Sequence, residues 1–219
     1  MLSIVVPARD EPKLPEFLAG LHDAMTGVPG GYEILVVQGD REPGKRYVPL
    51  LPNERSLWTY GDSLERSILH GLSEARGERI LVMDADGSHP PRMVGELFRA
   101  LDDVELAVGS RFVEGAAFSK SAYRGLVTWL FTAMARQCGS KLRDPMSGFF
   151  AVRREVLDRC RFKPLKWKTA LEIELRANPT LREVPIMFSE RGAGRSKTSW
   201  RVGLTLLWQL QWEGWDKVD

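Results

Sequence analysis

Two cysteines and three histidines are all that 219 residues hold of the side chains from which most metal cages and nucleophile–base pairs are built. Cys138 and Cys160 lie far apart, without the spacing of a zinc site or redox pair, which points to a reducing compartment and to two core thiols. His22 and His70 fall within helical patterns and are expected to be structural, and no histidine belongs to a recognisable triad. Long apolar runs are missing as well. A bilayer crossing needs about 20 consecutive apolar residues, and the best stretches, GLVTWLFTAMA (125–135) and VGLTLLWQL (202–210), are shorter. The amino terminus, MLSIVVPARDE, has no basic lead before a signal-length apolar run, so it reads as a first strand. Charge of one sign is not in excess either: 31 Lys and Arg against 29 Asp and Glu leave +2, and nothing asks for nucleic acid as a partner.

Two nucleotide-binding schemes fail for want of glycine. A dehydrogenase-type site needs glycines between its first strand and helix so that the backbone can approach a pyrophosphate, and here that turn is PARDEPK. A P-loop needs Gly-x-x-x-x-Gly-Lys followed by Ser or Thr, which does not occur.

What the chain does have is 43% hydrophobic residues, enough for one large core, in an alternating order. LSIVVPA (2–8), YEILVVQ (32–38), RILVMDA (79–85) and VELAVGSRF (104–112) are short, continuously apolar runs of the kind that parallel strands buried on both faces show. Helical spacing fills LPEFLAGLHDAM (14–25), SLERSILHGLSEA (63–75) and RMVGELFRALDD (92–103). The alternation predicts an open, doubly wound α/β sheet, mostly parallel and flanked by helices, with ligands beyond the carboxyl ends of its strands. Past residue 112 follow a long amphipathic helix (122–139), DPMSGFFAVRREVL (144–157), KWKTALEIELRA (166–177) and a strand, REVPIMFSE (182–190). GDREPGKRYVPLLPNERS (39–56), rich in Pro and Gly, is expected to be an irregular loop where a βαβ unit would carry a helix.

ILVMDADGSHPP (80–91) concentrates the chemistry. Residues i and i+2 of a strand share a side, so Asp84 and Asp86 would aim at one point, and two like charges so aimed call for a cation. Ser88 followed by Pro90 and Pro91 has the form of a helix start, with Ser as N-cap and proline in the first turn. His89, beside the acidic pair, reads equally as a structural residue and as a contact to the groups that would hold the ion. A divalent ion on the pair would neutralise the diphosphate of a sugar nucleotide.

Taken together, SIVVPARDE, GLSEARGERILVMDADGSHPP, VGSR, DPMSGFFAVRREVL and EVPIMFSERGAGRSK resemble, in order and from about Ser3 to Lys197, the polyprenyl-phosphate (dolichol-phosphate) mannosyltransferases, which are inverting family 2 glycosyltransferases of the GT-A fold. The resemblance implies a single GT-A domain over 1–199, with a donor half to about 112 and an acceptor half from about 113. It implies Mg²⁺ or Mn²⁺ on Asp84 and Asp86, and a donor site drawing on Pro7, Arg9, Glu11, Gln38, Asp84 and Lys197. Arg111, Arg124 and Lys197 match basic residues facing phosphates, and Asp144 and Glu172 match acidic positions of the sugar pocket. Asp86, Arg111, Asp144 and Glu172 are thus the catalytic candidates. The partners implied are a nucleoside-diphosphate sugar, GDP-mannose first, and a polyprenyl phosphate, at the cytoplasmic face of a membrane or beside a membrane-anchored subunit.

The chain departs from that pattern at three places. Gln38 stands where an aspartate reads the nucleobase, Ser88 where some relatives have a metal-holding glutamine, and Arg9 and Asp10 where Tyr and Asn are usual. An amide offers one acceptor oxygen and no charge. A lipid phosphate is already ionised at neutral pH and needs no strong base, whereas a glycan hydroxyl acceptor would need Asp144 or Glu172 as one. A sugar-nucleotide-binding module without catalysis is the reading from another class. Finally, Trp200, Leu204, Trp208 and Trp212 recur at i+4 spacing, so 200–219 is expected to be an amphipathic helix suited to a headgroup zone.

Overall fold

Alternate residues of each central strand enter different cores in the computed structural model, which describes residues 1–8, 11–39, 47–59, 63–116, 122–162 and 168–186, with 122–127 as backbone only. The strands are β1 (Leu2–Ala8), β2 (Tyr32–Gly39), β3 (Glu54–Thr59), β4 (Arg79–Val82), β5 (Leu106–Ser110), β6 (Phe150–Arg153) and β7 (Leu181–Pro185). The helices are α1 (Leu14–Ala24), α2 (Leu64–Glu74), α3 (Val94–Ala100), α4 (Ala122–Gln137), α5 (Arg154–Arg159) and α6 (Thr169–Ala177). Ile4, Val6, Ile34, Val36 and Leu81 pack with α1 and α3. Val5, Leu35, Val37, Ile80 and Val82 pack on the other face with α2, α5 and α6. This is why the strands read as unbroken apolar runs, and it makes the three-layer architecture that the alternation predicts.

The described residues form a seven-stranded sheet in the order β3-β2-β1-β4-β6-β5-β7. Only β6 runs against the others, pairing antiparallel with both β4 and β5. From β1 the chain winds outward to β2 and β3, then returns to β4 on the opposite side of β1. The switch point, where a crevice opens at the carboxyl ends of an open sheet, therefore lies between β1 and β4. Pro7 helps open it. The last bond of the β1–β4 ladder runs from the Met83 N–H to the Val5 carbonyl. By strand alternation the Pro7 nitrogen faces the same side two residues on, and it has no proton to donate.

Two strand expectations need correction. The segment 39–56 is not irregular throughout, since Glu54–Thr59 is an edge strand paired parallel with β2. Its short, half-exposed ERSLWT pattern is hidden behind the preceding prolines. The strand expected over 79–85 closes at Val82, so Asp84 and Asp86 lie in the following turn. Ser88 is also not the N-cap: a short 3-10 turn begins at Pro91 with Pro90 in the cap position, leading into α3.

Candidate active site

The single antiparallel strand decides which loops meet. Val82 and Val108 both pair with Phe150, so the residues after β4, those after β5 and those before β6 come to one end of the sheet. The Gly109 N–H donates to the Phe149 carbonyl at 2.8 Å, and a Cβ on Gly109 would lie 2.8 Å from the Phe149 ring, which is why VGSR carries glycine there. Glu11, half-buried in the loop after β1, stands across the switch point, its carbonyl accepting from the Leu14 N–H. Gln38, the residue before the last of β2, is in register with Ala8.

Asp84 and Asp86 are half-buried, on a turn that passes through Gly87 at φ +80°, where a side chain would be strained. Asp86 Oδ1 accepts the Ser88 N–H at 3.0 Å, which folds the turn back on itself. The two aspartates thus lie on a closed turn and not on a strand. The Ser88 hydroxyl is buried and has no hydrogen-bond partner. Among the described residues no three His, Cys, Asp or Glu side chains converge to cage an ion. Two carboxylates, with an orphaned hydroxyl on the same turn, suit a hard cation that takes oxygen ligands and completes its shell with water or diphosphate. The residues fit Mg²⁺ or Mn²⁺.

His89, fully buried, accepts the Asp84 N–H on Nδ1 at 2.9 Å and stacks on Phe149 with ring centroids 4.9 Å apart. Burial holds its pKa below the ordinary value, with Lys168 and Arg111 acting the same way and Asp84 and Asp86 opposing. That places Lys168, the residue before α6, among the charges around this turn, a cation that sequence reasoning passed over because KWKTA offers several lysines and no spacing to choose between them.

Arg111 is held from three directions by one carboxylate. Asp144, with no exposure, takes its Nε at 2.7 Å, its Nη2 at 2.7 Å and its backbone N–H at 3.1 Å. Glu183 of β7 in turn accepts the Arg143 and Asp144 N–H groups, one on each oxygen, and so sets Asp144. Glu183 was not singled out from the sequence; its role depends on β7 lying beside β5, which no local pattern shows. Glu172 accepts from Arg176 Nε at 2.8 Å within α6, both side chains nearly buried. It lies beside Cys160, whose thiol is pushed up to about 12 by burial first and by the Glu172 charge second. Gln38 commits its amide to the fold, its oxygen accepting the Tyr47 N–H and its nitrogen donating to Ser56 Oγ and the Tyr47 carbonyl. Arg9, Lys197 and the helix expected over 200–219 lie outside the described residues, and of Arg124 only the backbone, in α4, is described.

A mostly parallel sheet with an acidic pair after the strand beside the switch point defines a GT-A glycosyltransferase fold, and solved structures agree. The chain superposes with a TM-score of 0.68, at 16% identity and over 96% of its length and 79% of the other, on glucosyl-3-phosphoglycerate synthase from Mycobacterium tuberculosis, a structure in complex with Mg²⁺ and uridine diphosphate. Residues 3–161 match the glycosyl transferase family 2 model, and the chain belongs to that family. It is 30% identical, over 97% of its length, to a dolichol-phosphate mannosyltransferase of Pyrococcus furiosus, and 35% identical over 68% to one of Saccharomyces cerevisiae. The matches cover 64% and 59% of those two proteins.

Proposed function

We propose that this chain transfers a hexose from a nucleoside-diphosphate sugar to a polyprenyl phosphate, with Mg²⁺ or Mn²⁺ on Asp84 and Asp86. One observation carries the choice of acceptor. The two acidic side chains that could deprotonate a hydroxyl acceptor are both engaged by arginines, Asp144 by a two-pronged pair with Arg111 and Glu172 by Arg176. A phosphate oxygen is already an anion at neutral pH and needs neither. The names of the relatives point to the same acceptor chemistry.

In this reading the phosphate oxygen attacks the anomeric carbon, a new C–O bond forms, the bond to the nucleoside diphosphate breaks on the opposite side, and the configuration inverts. When bound, the cation neutralises the departing diphosphate. Arg111, held rigid by Asp144, is a preorganised positive charge for a phosphate beside that turn, and Lys168 adds a second. Glu11, Pro7 and Arg9 are assigned to the donor side, with Arg124 and Lys197 assigned to the phosphates by the family pattern. Mannose from GDP-mannose is the first donor to test. Because the Gln38 amide is occupied by Tyr47 and Ser56, base recognition falls to other groups.

A lipid acceptor requires access to a bilayer. No helix among the described residues is long and apolar enough to cross one. Trp129 and Leu130, adjacent on α4, are 65% and 47% exposed, an aromatic and aliphatic face in the acceptor half suited to a headgroup zone. We therefore place the enzyme at a membrane surface, directly or through an anchored partner.

The test incubates the protein with Mn²⁺, polyprenyl phosphate and labelled GDP-mannose, with UDP-glucose in parallel, and scores label in the organic phase. Label with one donor, absent from the Asp86→Ala variant, supports the reading. Nucleotide binding without lipid labelling from either donor overturns it in favour of another acceptor or a binding module.

A further inference from the structure

We propose that His89 is the positioning residue of the cation turn: its Nδ1 takes the Asp84 N–H that the sheet leaves unpaired and so holds both carboxylates in place before an ion arrives. The inference rests on the reading of Asp84 and Asp86 as cation ligands.

Asp84 sits where the sheet can no longer hold it. On one side the β1–β4 ladder has ended with the Met83 N–H on Val5, and by strand alternation the Asp84 N–H faces away from β1. On the other, the β4–β6 register stops at Val82 and Phe150. His89 replaces the missing strand partner. Its 2.9 Å bond from the Asp84 N–H closes a loop from residue 84 to residue 89, with Asp86 and the left-handed Gly87 inside. The Ser88 N–H on Asp86 Oδ1 then braces that loop from within.

The ring is fixed as firmly as the bond. It lies nearly parallel to the Phe149 ring, 13° apart, and Phe149 is fully buried at the head of β6. Gly148 closes the space beside it: a Cβ there would lie 3.5 Å from Asp84 Oδ2 and 3.8 Å from His89 Cε1, so backbone, carboxylate and imidazole pack together. An N–H donated to Nδ1 leaves that nitrogen without a proton, so the imidazole is neutral with its proton on Nε2. A neutral support adds no positive charge to repel the incoming cation. Side chains that orient the groups ligating a metal commonly set its affinity by 10- to 100-fold, roughly.

The experiment titrates Mn²⁺ by loss of the free-ion EPR signal, with GDP and separately with UDP present, for the wild type and two variants. His89→Phe keeps a flat ring on Phe149 and removes the acceptor; His89→Asn keeps an acceptor at the δ position and removes the ring. Weakening of about 10- to 100-fold in His89→Phe, with recovery to within a few-fold in His89→Asn, supports positioning. Wild-type affinity in His89→Phe overturns it, and so does equal weakening in both variants with unchanged thermal midpoints, which would assign the effect to ring packing. If neither variant folds, the wild type decides: imidazole ¹⁵N shifts should show Nδ1 unprotonated with and without Mg²⁺, and a protonated Nδ1 overturns the proposal. A wild type that binds no Mn²⁺ with either nucleotide removes instead the cation reading on which it stands.

Discussion

At the amino end of β3, Glu54 accepts hydrogen bonds from His22 Nε2, the Tyr47 hydroxyl and the N–H groups of Leu50 and Leu51, and His22 passes on to the Tyr32 hydroxyl. At the foot of β2, Glu33 accepts from Ser3, the Arg76 N–H and Arg55. On the turn after β4, by contrast, Asp84 and Asp86 stay half-buried and Ser88 keeps a buried hydroxyl without a partner. The first two carboxylates have every incentive to stay where they are, since a buried acceptor stripped of its donors costs about 1–3 kcal/mol. The turn leaves the Ser88 hydroxyl unsatisfied, an arrangement that makes sense where a ligand supplies the partner. One kind of acidic residue holds the fold together; the other is held by it.

The sharpest way to break that contrast is Asp86→Ala. Transfer should fall by roughly 10³-fold, while the thermal midpoint stays within about 2 °C, because a half-exposed turn side chain contributes little to folding. A large loss of midpoint would make Asp86 structural and erase the distinction. Asp144→Asn probes the boundary between the two kinds. The amide can accept from Arg111 but no longer offers two charged oxygens, so transfer should drop about 10²-fold and stability by about 3 kcal/mol, both read on the same preparation. A rate profile that loses its acid limb in this variant would instead mark Asp144 as a general base and favour a hydroxyl acceptor. Glu54→Gln is the converse of Asp86→Ala: a loss of about 1–3 kcal/mol in urea unfolding with unchanged transfer per folded molecule.

The strands buried on both faces were legible because Val5, Leu35 and Ile80 alternate between cores with Ile4, Ile34 and Leu81, so the middle of each strand is apolar whichever face a residue takes. The acidic pair was read on a strand, whereas it lies on a turn shaped by Gly87 and by the bond from the Asp84 N–H to His89, past the end of β4. The direction of β6 was not readable, since FAVR is equally apolar either way up and its orientation follows from pairing with β4 and β5. For the same reason Asp144 could be read as a pocket acid but not as the clamp of Arg111, a residue 33 positions away. Gln38 was read for what it lacks relative to an aspartate, whereas its amide is tied to Tyr47, nine positions on, and to Ser56, partners that no local pattern shows.

The smallest effect tests the structural carboxylates against each other by pH. Burial works to raise Glu33 and Glu54, but the hydrogen bonds they accept outweigh it and both lie below their ordinary value of 4.5. Glu174, buried behind α4 with bonds from Ser140 and the Lys141 N–H, is raised, because there burial outweighs those bonds. A depressed carboxylate contributes stability that is present above the unfolded pKa and is lost as pH falls through the folded one. A raised carboxylate contributes in the protonated form, present below the unfolded pKa and lost as pH rises through the folded one. Stability should therefore decline on both sides of a maximum just around the ordinary glutamate range, gently above it through Glu174 and more steeply below it through Glu33 and Glu54. Urea unfolding from about pH 3.5 to 7 checks this, with Glu54→Gln expected to flatten the acid side alone and Glu174→Gln the neutral side alone. If Glu174→Gln instead flattens the acid side, its bonds to Ser140 and Lys141 dominate its burial, and Glu174 belongs with Glu33 and Glu54 as a carboxylate that the fold prefers charged.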